Sequence, residues 1–214
     1  MYWDIILKGF ADTSYMVLIS VVVAHLIGLP LGVILVVTSK VHIKENAPIN
    51  KILGTIVNIT RSIPFIILLF AMVPITRAIV GTSIGTTAAT IPLIVASIPF
   101  VGRMVETSLK EIPWGIIEAA LAMGASPWQI ITKVLLPEAM PSLVLGATIT
   151  TITLIGYSAM AGVVGGGGLG DIAIRYGYYR YDTEVMLITV LILVAMVQVI
   201  QSLGDFIANK IDKR

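Results

Sequence analysis

Residues 16–39 read MVLISVVVAHLIGLPLGVILVVTS, a stretch without one charged side chain. An α-helix rises about 1.5 Å per residue, so roughly 20 apolar residues are enough to cross the hydrocarbon core of a bilayer. This stretch is therefore predicted to be a membrane-spanning helix. Its Gly28, Pro30 and Gly32 indicate a bent or closely packed helix rather than a plain anchor, although ordinary packing kinks stay an alternative.

Four more apolar stretches follow, at about residues 52–74, 84–102, 141–164 and 185–204. The composition agrees, because 57% of the residues are hydrophobic, 12% are charged and the mean hydropathy is +0.99. A soluble domain carries about 25% charged residues. The predicted fold is an all-α, polytopic membrane helical bundle of about five transmembrane helices, forming a single domain over 1–214. A net charge of +2 does not indicate a nucleic-acid partner, and the absence of cysteine excludes thiolate sites.

Five spans place the two termini on opposite sides, and basic residues prefer the cytoplasmic side. With the N-terminus outside, the inner segments hold nine basic residues: Lys40, Lys44, Lys51, Arg103, Lys110, Lys133, Lys210, Lys213 and Arg214. The outer segments hold four: Lys8, Arg77, Arg175 and Arg180. The sequence therefore predicts an N-out, C-in orientation.

The first twelve residues lack the pattern of a cleavable signal, a basic region followed by a long apolar run. They carry Tyr2, Trp3 and Phe10, and aromatic residues are frequent at membrane–water interfaces. We expect this segment to anchor the first span at the interface.

Between the third and fourth spans, residues 118–137 read EAALAMGASPWQIITKVLLP. Gly124 predicts the end of one short helix, because glycine readily adopts the left-handed conformation of a helix stop. Ser126 and Gln129 predict a capping box that starts a second helix, which we expect to end at Pro137. Such a pair is too small to bury its own core. It favours either docking on another protein or an amphipathic loop on the lipid surface.

The order Glu-Ala-Ala at Glu118, then Gly124 and a final Leu-Pro resembles the EAA loop in permease subunits of ABC-type importers. Val134 stands where that family usually has isoleucine. The chain is also similar to methionine-importer permeases in RSIPFIILL at 61–69, GYSAM at 156–160 and the glycine run at 165–170.

The resemblance implies a homodimeric pore in the bacterial inner membrane that moves methionine, in its L and D forms, by alternating access. Two separate ATPase subunits would bind ATP and Mg²⁺ at the inner face, and an external binding protein would deliver the cargo. This chain would itself bind no cofactor. Within an inner loop of about 103–140, the residues implied to contact the ATPase are Glu118, Ala119, Ala120, Gly124, Ala125, Ser126, Lys133, Leu136 and Pro137.

No G-x-x-x-x-G-K-[ST] sequence is present, so ATP hydrolysis is assigned to a partner. The run Gly165–Gly170 fits G-x-G-x-x-G formally, but it follows a membrane helix, and we expect a flexible re-entrant or extracellular turn. His25 and His42 are expected to be structural. No catalytic or metal-binding group stands out.

Candidate translocation-pathway residues are Asn58, Arg61, Tyr157, Ser158 and Met160. Met160 beside small residues suits a closable apolar constriction, although plain helix packing fits the same pattern. Arg61 is expected to be functional if it is buried in a span. The alternative is that its long side chain extends to the cytoplasmic membrane interface and has a structural role.

Two further residues, Arg103 and Glu106, are expected to form a pair at a helix end. The same architecture with another amino acid or small organic solute stays an alternative function. A self-contained secondary transporter or channel is a second, and a membrane anchor for another complex is a third.

Overall fold

A computed structural model describes residues 2–212, with the side chain of Tyr2 left aside. The Tyr2 ring, expected above to be interfacial, and Lys213 and Arg214, counted toward the inner side, lie outside the described part. Within it the secondary structure is helical, which confirms the predicted fold class. Four helices are long and apolar enough to cross a membrane, and a bent helix pair raises the number to five.

The four long helices are α1 (Tyr2–Val37), α5 (Thr86–Lys110), α9 (Met140–Gly162) and α11 (Thr183–Ile211). Helix α1 begins well before the expected start at Met16, so the aromatic N-terminal segment continues the first span instead of preceding it. Helix α5 is central in the bundle: 56% of its most apolar 18-residue stretch is buried, whereas the corresponding share in α11 is 11%.

Helices α1 and α5 pack closely through glycine. A Cβ atom on Gly28 would lie 2.7 Å from Val101 Cβ, and one on Gly32 would lie 2.6 Å from the carbonyl oxygen of Gly102. Neither space accepts a side chain, so small residues allow the two backbones to approach, as in other membrane helix pairs. The glycines of the first span therefore serve packing.

The second predicted span is not one helix. It is divided into α2 (Ala47–Ser62) and α3 (Phe65–Ala71), which meet at 99°, and α4 (Val73–Val80) follows. Pro64 lacks an N–H group, and it forces the preceding Ile63 into an extended conformation with ψ 121°. The expectation of a continuous helix over 52–74 was wrong for this reason.

The inner loop forms α6 (Trp114–Ala122) and α7 (Pro127–Ile130), a π turn (Ile131–Leu135) and α8 (Leu136–Glu138). The predicted capping box is present: Gln129 N donates to Ser126 Oγ at 3.3 Å, and Ser126 N donates to Gln129 Oε1 at 2.8 Å. Pro137 does not end the second helix as expected. The π turn, in which Leu136 N donates to Ile131 O, lets helical backbone continue through the proline.

The glycine run forms a packed turn rather than a flexible one. It leads into α10 (Gly168–Ile172), which is buried throughout, and a π turn (Ala173–Tyr178). Leu169 N donates to Thr13 Oγ1 at 2.9 Å, and a Cβ on Gly168 would lie 2.7 Å from the same oxygen. Glycine is needed here for close approach to α1.

Candidate functional site

The segment α6–α8 is fixed to the inner ends of the long helices by one apolar cluster. Its inward side chains Ile117, Ile130 and Leu135 are 0–2% exposed, and they pack with Val37 of α1 and Leu109 of α5. The segment therefore has no independent core, and it shares one with two membrane helices. A displacement of the segment must move the ends of α1 and α5 with it.

The turn between the two short helices is a Schellman motif. Gly124 adopts φ +78°, its N–H donates to Leu121 O at 2.9 Å, and Ala125 N donates to Ala120 O at 3.1 Å. Nothing lies within 4 Å of the Cβ position of Gly124. The glycine therefore sets the backbone direction while facing open space.

The residues carried over from the family motif divide between two sides of the segment. Ala120 is buried at 3% exposure, so the expectation that it forms part of a contact surface is not supported in this chain. Ala125 and Leu136 are half-buried. The exposed members are Glu118, Ala119, Gly124, Ser126, Lys133 and Pro137.

Three exposed apolar side chains of the same segment were missed by the sequence reasoning. Met123 is 82% exposed, Trp128 is 72% exposed and Leu121 is 41% exposed. An exposed apolar patch marks a protein or membrane contact. Their positions in the sequence could have indicated this exposure. Met123 directly precedes Gly124, which ends α6, and Trp128 directly follows Pro127, which begins α7.

An ion cluster around the buried carboxylate of Glu106 connects α5 to α2. Glu106 is 5% exposed and pairs with Arg103 and with Lys110, whose Nζ lies 2.7 Å from Glu106 Oε1. Arg103 also donates to Asn58 Oδ1 at 2.8 Å and to Gly54 O at 3.2 Å. The expected Arg103–Glu106 pair is present. Asn58, a pathway candidate, is occupied in holding the two helices together.

His42, in the loop after α1, lies against the start of α6. Its ring contacts Trp114 edge-on at 5.7 Å between centroids, and its Nδ1 is buried without a hydrogen-bond partner in the described chain. Burial, and then the positive charge of Lys110, lower the pKa of His42 below its ordinary value of 6.5. It is a neutral packing residue near pH 7. His25 is also structural, bonding Val21 O at 2.8 Å.

The candidate pathway residues take different positions. Tyr157 stacks on Phe65 at 4.4 Å between ring centroids. Ser158 is buried, and its hydroxyl donates to Ile155 O of the same helix at 2.7 Å, so it is not open to a pathway in this chain. Met160 is 46% exposed.

Arg61 and Tyr157 line one cavity of about 220 Å³ beside the break between α2 and α3. Its other walls include Phe100 of α5, whose ring centroid lies 5.9 Å from the Arg61 guanidinium carbon. Phe100 precedes the end of α5 at Lys110 by ten residues, or roughly 15 Å of helix. Because the third span is predicted to end at residue 102, the charge of Arg61 lies beside the inner part of that span, and its side chain is exposed.

Among residues 2–212, no group of three or more His, Cys, Asp or Glu side chains is placed to hold a metal ion. Two surfaces collect the residues predicted from the sequence: the outward face of α6–α8 and the cavity at Arg61.

Comparisons with known proteins agree on the family. The model of the "binding-protein-dependent transport system inner membrane component" matches residues 28–214. The probable D-methionine transport system permease protein MetI of Vibrio cholerae is 54% identical over 211 residues, which cover 99% of this chain and 94% of that protein. The D-methionine transport system permease protein MetI of Escherichia coli is 56% identical over 162 residues, covering 76% of this chain and 74% of that one.

Solved structures agree as well. An inward-facing structure of the MetNI methionine ABC transporter superposes with a TM-score of 0.98 at 52% identity, covering 99% of this chain and 98% of that one. An amino acid ABC transporter with histidines, 20% identical, has a TM-score of 0.80 over 98% of this chain and 95% of that one, and it shares the fold. The family resemblance is thereby confirmed. The chain belongs to the inner membrane components of binding-protein-dependent transport systems.

Proposed function

We propose that this chain is the membrane-spanning subunit of an ATP-driven importer of methionine, in its L and D forms, in the bacterial inner membrane. Two copies form the pathway, two separate ATPase subunits bind ATP and Mg²⁺ at the inner face, and an external binding protein delivers the cargo. The names of the relatives, MetI permeases and the MetNI methionine ABC transporter, support this assignment.

The observation that carries the proposal is the outward face of α6–α8. It presents Met123 and Trp128 to the surroundings, although the opposite face of the segment is fully packed. Exposed aromatic and methionine side chains are typical of protein interfaces. Glu118, Ser126 and Lys133 of the same segment are also exposed, and they add polar groups to this surface. The occupant is the ATPase subunit, because the family uses this loop for coupling.

The route of force follows from the same packing. When the ATPases close, they displace α6–α8, and the shared cluster carries that movement to α1 and α5. The ion cluster then connects α5 to α2 through Arg103 and Asn58. Because α2 ends at the break beside the cavity, closure of the ATPases shifts the bundle between two arrangements there.

The pathway is proposed to pass the cavity at Arg61 and Tyr157, with Met160 as an exposed apolar side chain nearer the outer end of α9. Asn58 supports this region by positioning α2. Ser158 contributes through close packing of its buried side chain.

A pair of glycine variants tests the coupling surface. Gly124 and Gly81 share a left-handed conformation, φ +78° and +83°, with nothing within 4 Å of either Cβ position. Gly81 follows α4 on the predicted outer side. Gly124→Leu is expected to uncouple ATP hydrolysis from methionine uptake in reconstituted vesicles, and Gly81→Leu, which imposes the same backbone strain, is expected to leave both intact. Equal uptake by the two variants contradicts the coupling role.

The rival functions have distinct outcomes. Another solute is indicated if unlabelled methionine does not compete for uptake. Uptake by this chain alone, driven by an ion gradient without ATPase, indicates a secondary transporter.

A further inference from the structure

The cavity at the α2–α3 break contains an unpaired charge. Arg61 is the one charged residue of its lining. Within residues 2–212 the side chain of Arg61 makes no hydrogen bond or ion pair, and its guanidinium lies over the Phe100 ring. Arg103, by contrast, binds Glu106, Asn58 and Gly54 O. The exposed guanidinium of Arg61 is therefore free to form charge-assisted hydrogen bonds with an anionic group in the cavity, which points to a binding role.

The cavity walls suit an apolar group. Phe65 and Tyr157 stack face to face with an interplanar angle of 1°, and Phe100 and Ala96 complete the wall from α5. Aromatic surfaces of this kind accept aliphatic or thioether groups through dispersion. The site therefore combines one cation with an apolar surface.

The helix break also frees hydrogen-bond acceptors. Ile63 N donates to Thr60 O at 3.3 Å, and α3 starts afresh with bonds to Pro64 O. In the described chain, no backbone N–H donates to the carbonyl oxygen of Arg61, Ser62 or Ile63. Freed carbonyls at broken membrane helices bind cationic groups. Arg61 and Ile63 both line the cavity, so the break brings a cation and residues with free carbonyl oxygens to the same site, a combination suited to a zwitterion.

We propose that this cavity is a transit site for the cargo, in which Arg61 binds the α-carboxylate of an amino acid with an apolar side chain. The side chain packs on Phe65 and Tyr157, and the ammonium group binds the freed carbonyls of the break. The proposal rests on the proposed import function and adds a residue that recognises one chemical group.

The test uses the purified complex of this chain with its ATPase, without any binding protein. A photoreactive diazirine analogue of methionine is cross-linked to the complex, and the labelled peptides are identified by mass spectrometry. Label is expected on peptides that contain Phe65 or Tyr157. Methionine should compete for labelling at least 10-fold better than methionine amide, which lacks the carboxylate.

Variants define the role of the charge. Arg61→Gln should reduce labelling on the order of 10- to 100-fold, since a charge-assisted hydrogen bond is lost. Arg61→Lys, which keeps the charge, should retain an intermediate level. Arg77→Gln, which removes a cation of α4 that does not line the cavity, should label like wild type. Labelling is normalised to ATPase bound, so variants that fail to assemble are not scored.

Two results overturn the proposal: wild-type labelling of the cavity by the Arg61→Gln complex, or equal competition by methionine and its amide. Failure of the proposed function is recognised separately, because a wild-type complex would then show no ATP-dependent methionine uptake at all.

Discussion

Truncation of Trp128 is the sharpest test of the proposed ATPase contact on the outward face of α6–α8. A buried tryptophan removes roughly 150–250 Å² from water. With Trp128 72% exposed, about 110–180 Å² is available to a partner, or about 3–4.5 kcal/mol at about 25 cal/mol per Å². Ordering costs offset part of this. Trp128→Ala should therefore weaken association with the ATPase by about 2–3 kcal/mol, or roughly 30- to 150-fold.

The assay titrates purified ATPase onto the permease in lipid nanodiscs and measures the dissociation constant. Trp3→Ala is the matched control. Trp3 is 64% exposed, and it lies at the start of α1, whereas α6–α8 packs against the other end of that helix. Affinity of Trp128→Ala within threefold of wild type would refute the reasoning. A second refuting result comes from a variant that keeps Trp128 as its one tryptophan. If brominated lipid quenches the Trp128 fluorescence in the assembled complex, the segment lies on the membrane surface.

Two further predictions concern residues that lie close to the segment α6–α8: Glu106 of α5 and His42 of the loop after α1. Glu106→Gln leaves Arg103 and Lys110 without their shared carboxylate and should lower the free energy of unfolding by about 1.5–3 kcal/mol. The purified complex should then unfold at a lower temperature, whereas the control Glu111→Gln, at an exposed position, should unfold like wild type. Equal unfolding temperatures for the two variants would contradict a stabilising role of the cluster. Because the pKa of His42 is lowered by folding, the unfolded chain binds more protons below about pH 6.5, so stability should fall as the pH drops through that value. His42→Phe should lose this pH dependence, and an unchanged profile would exclude His42 as its source.

Local chemistry predicted the backbone of the α6–α7 turn well. The cap formed by Ser126 and Gln129 and the left-handed turn at Gly124 depend on residues within a few positions, so their sequence was sufficient. The inner burial of Ala120 depends on contacts with distant helices. It could not be distinguished from the exposed Ala119 by residue type.

The errors elsewhere have a common physical cause. Hydropathy over 52–74 sums side chains and ignores the backbone, so it predicted one span across the break at Pro64. A glycine such as Gly168 permits both flexibility and close packing, and here its contacts with Thr13 and Met16 of the distant helix α1 decide for close packing. The cavity at Arg61 joins three segments and has no local signature.

The π turn also limits how this region can be rebuilt. Ile130 and Leu135 are both fully buried, although they are five positions apart. On a regular α-helix, five steps of about 100° leave two side chains about 140° apart, on nearly opposite faces. Replacing Ile131–Leu135 with an idealised helix would thus rotate one of these two anchors into water. A helical wheel therefore assigns the wrong face to one of these two side chains. Chimaeras between homologous subunits must keep the π turn at Ile131–Leu135 intact.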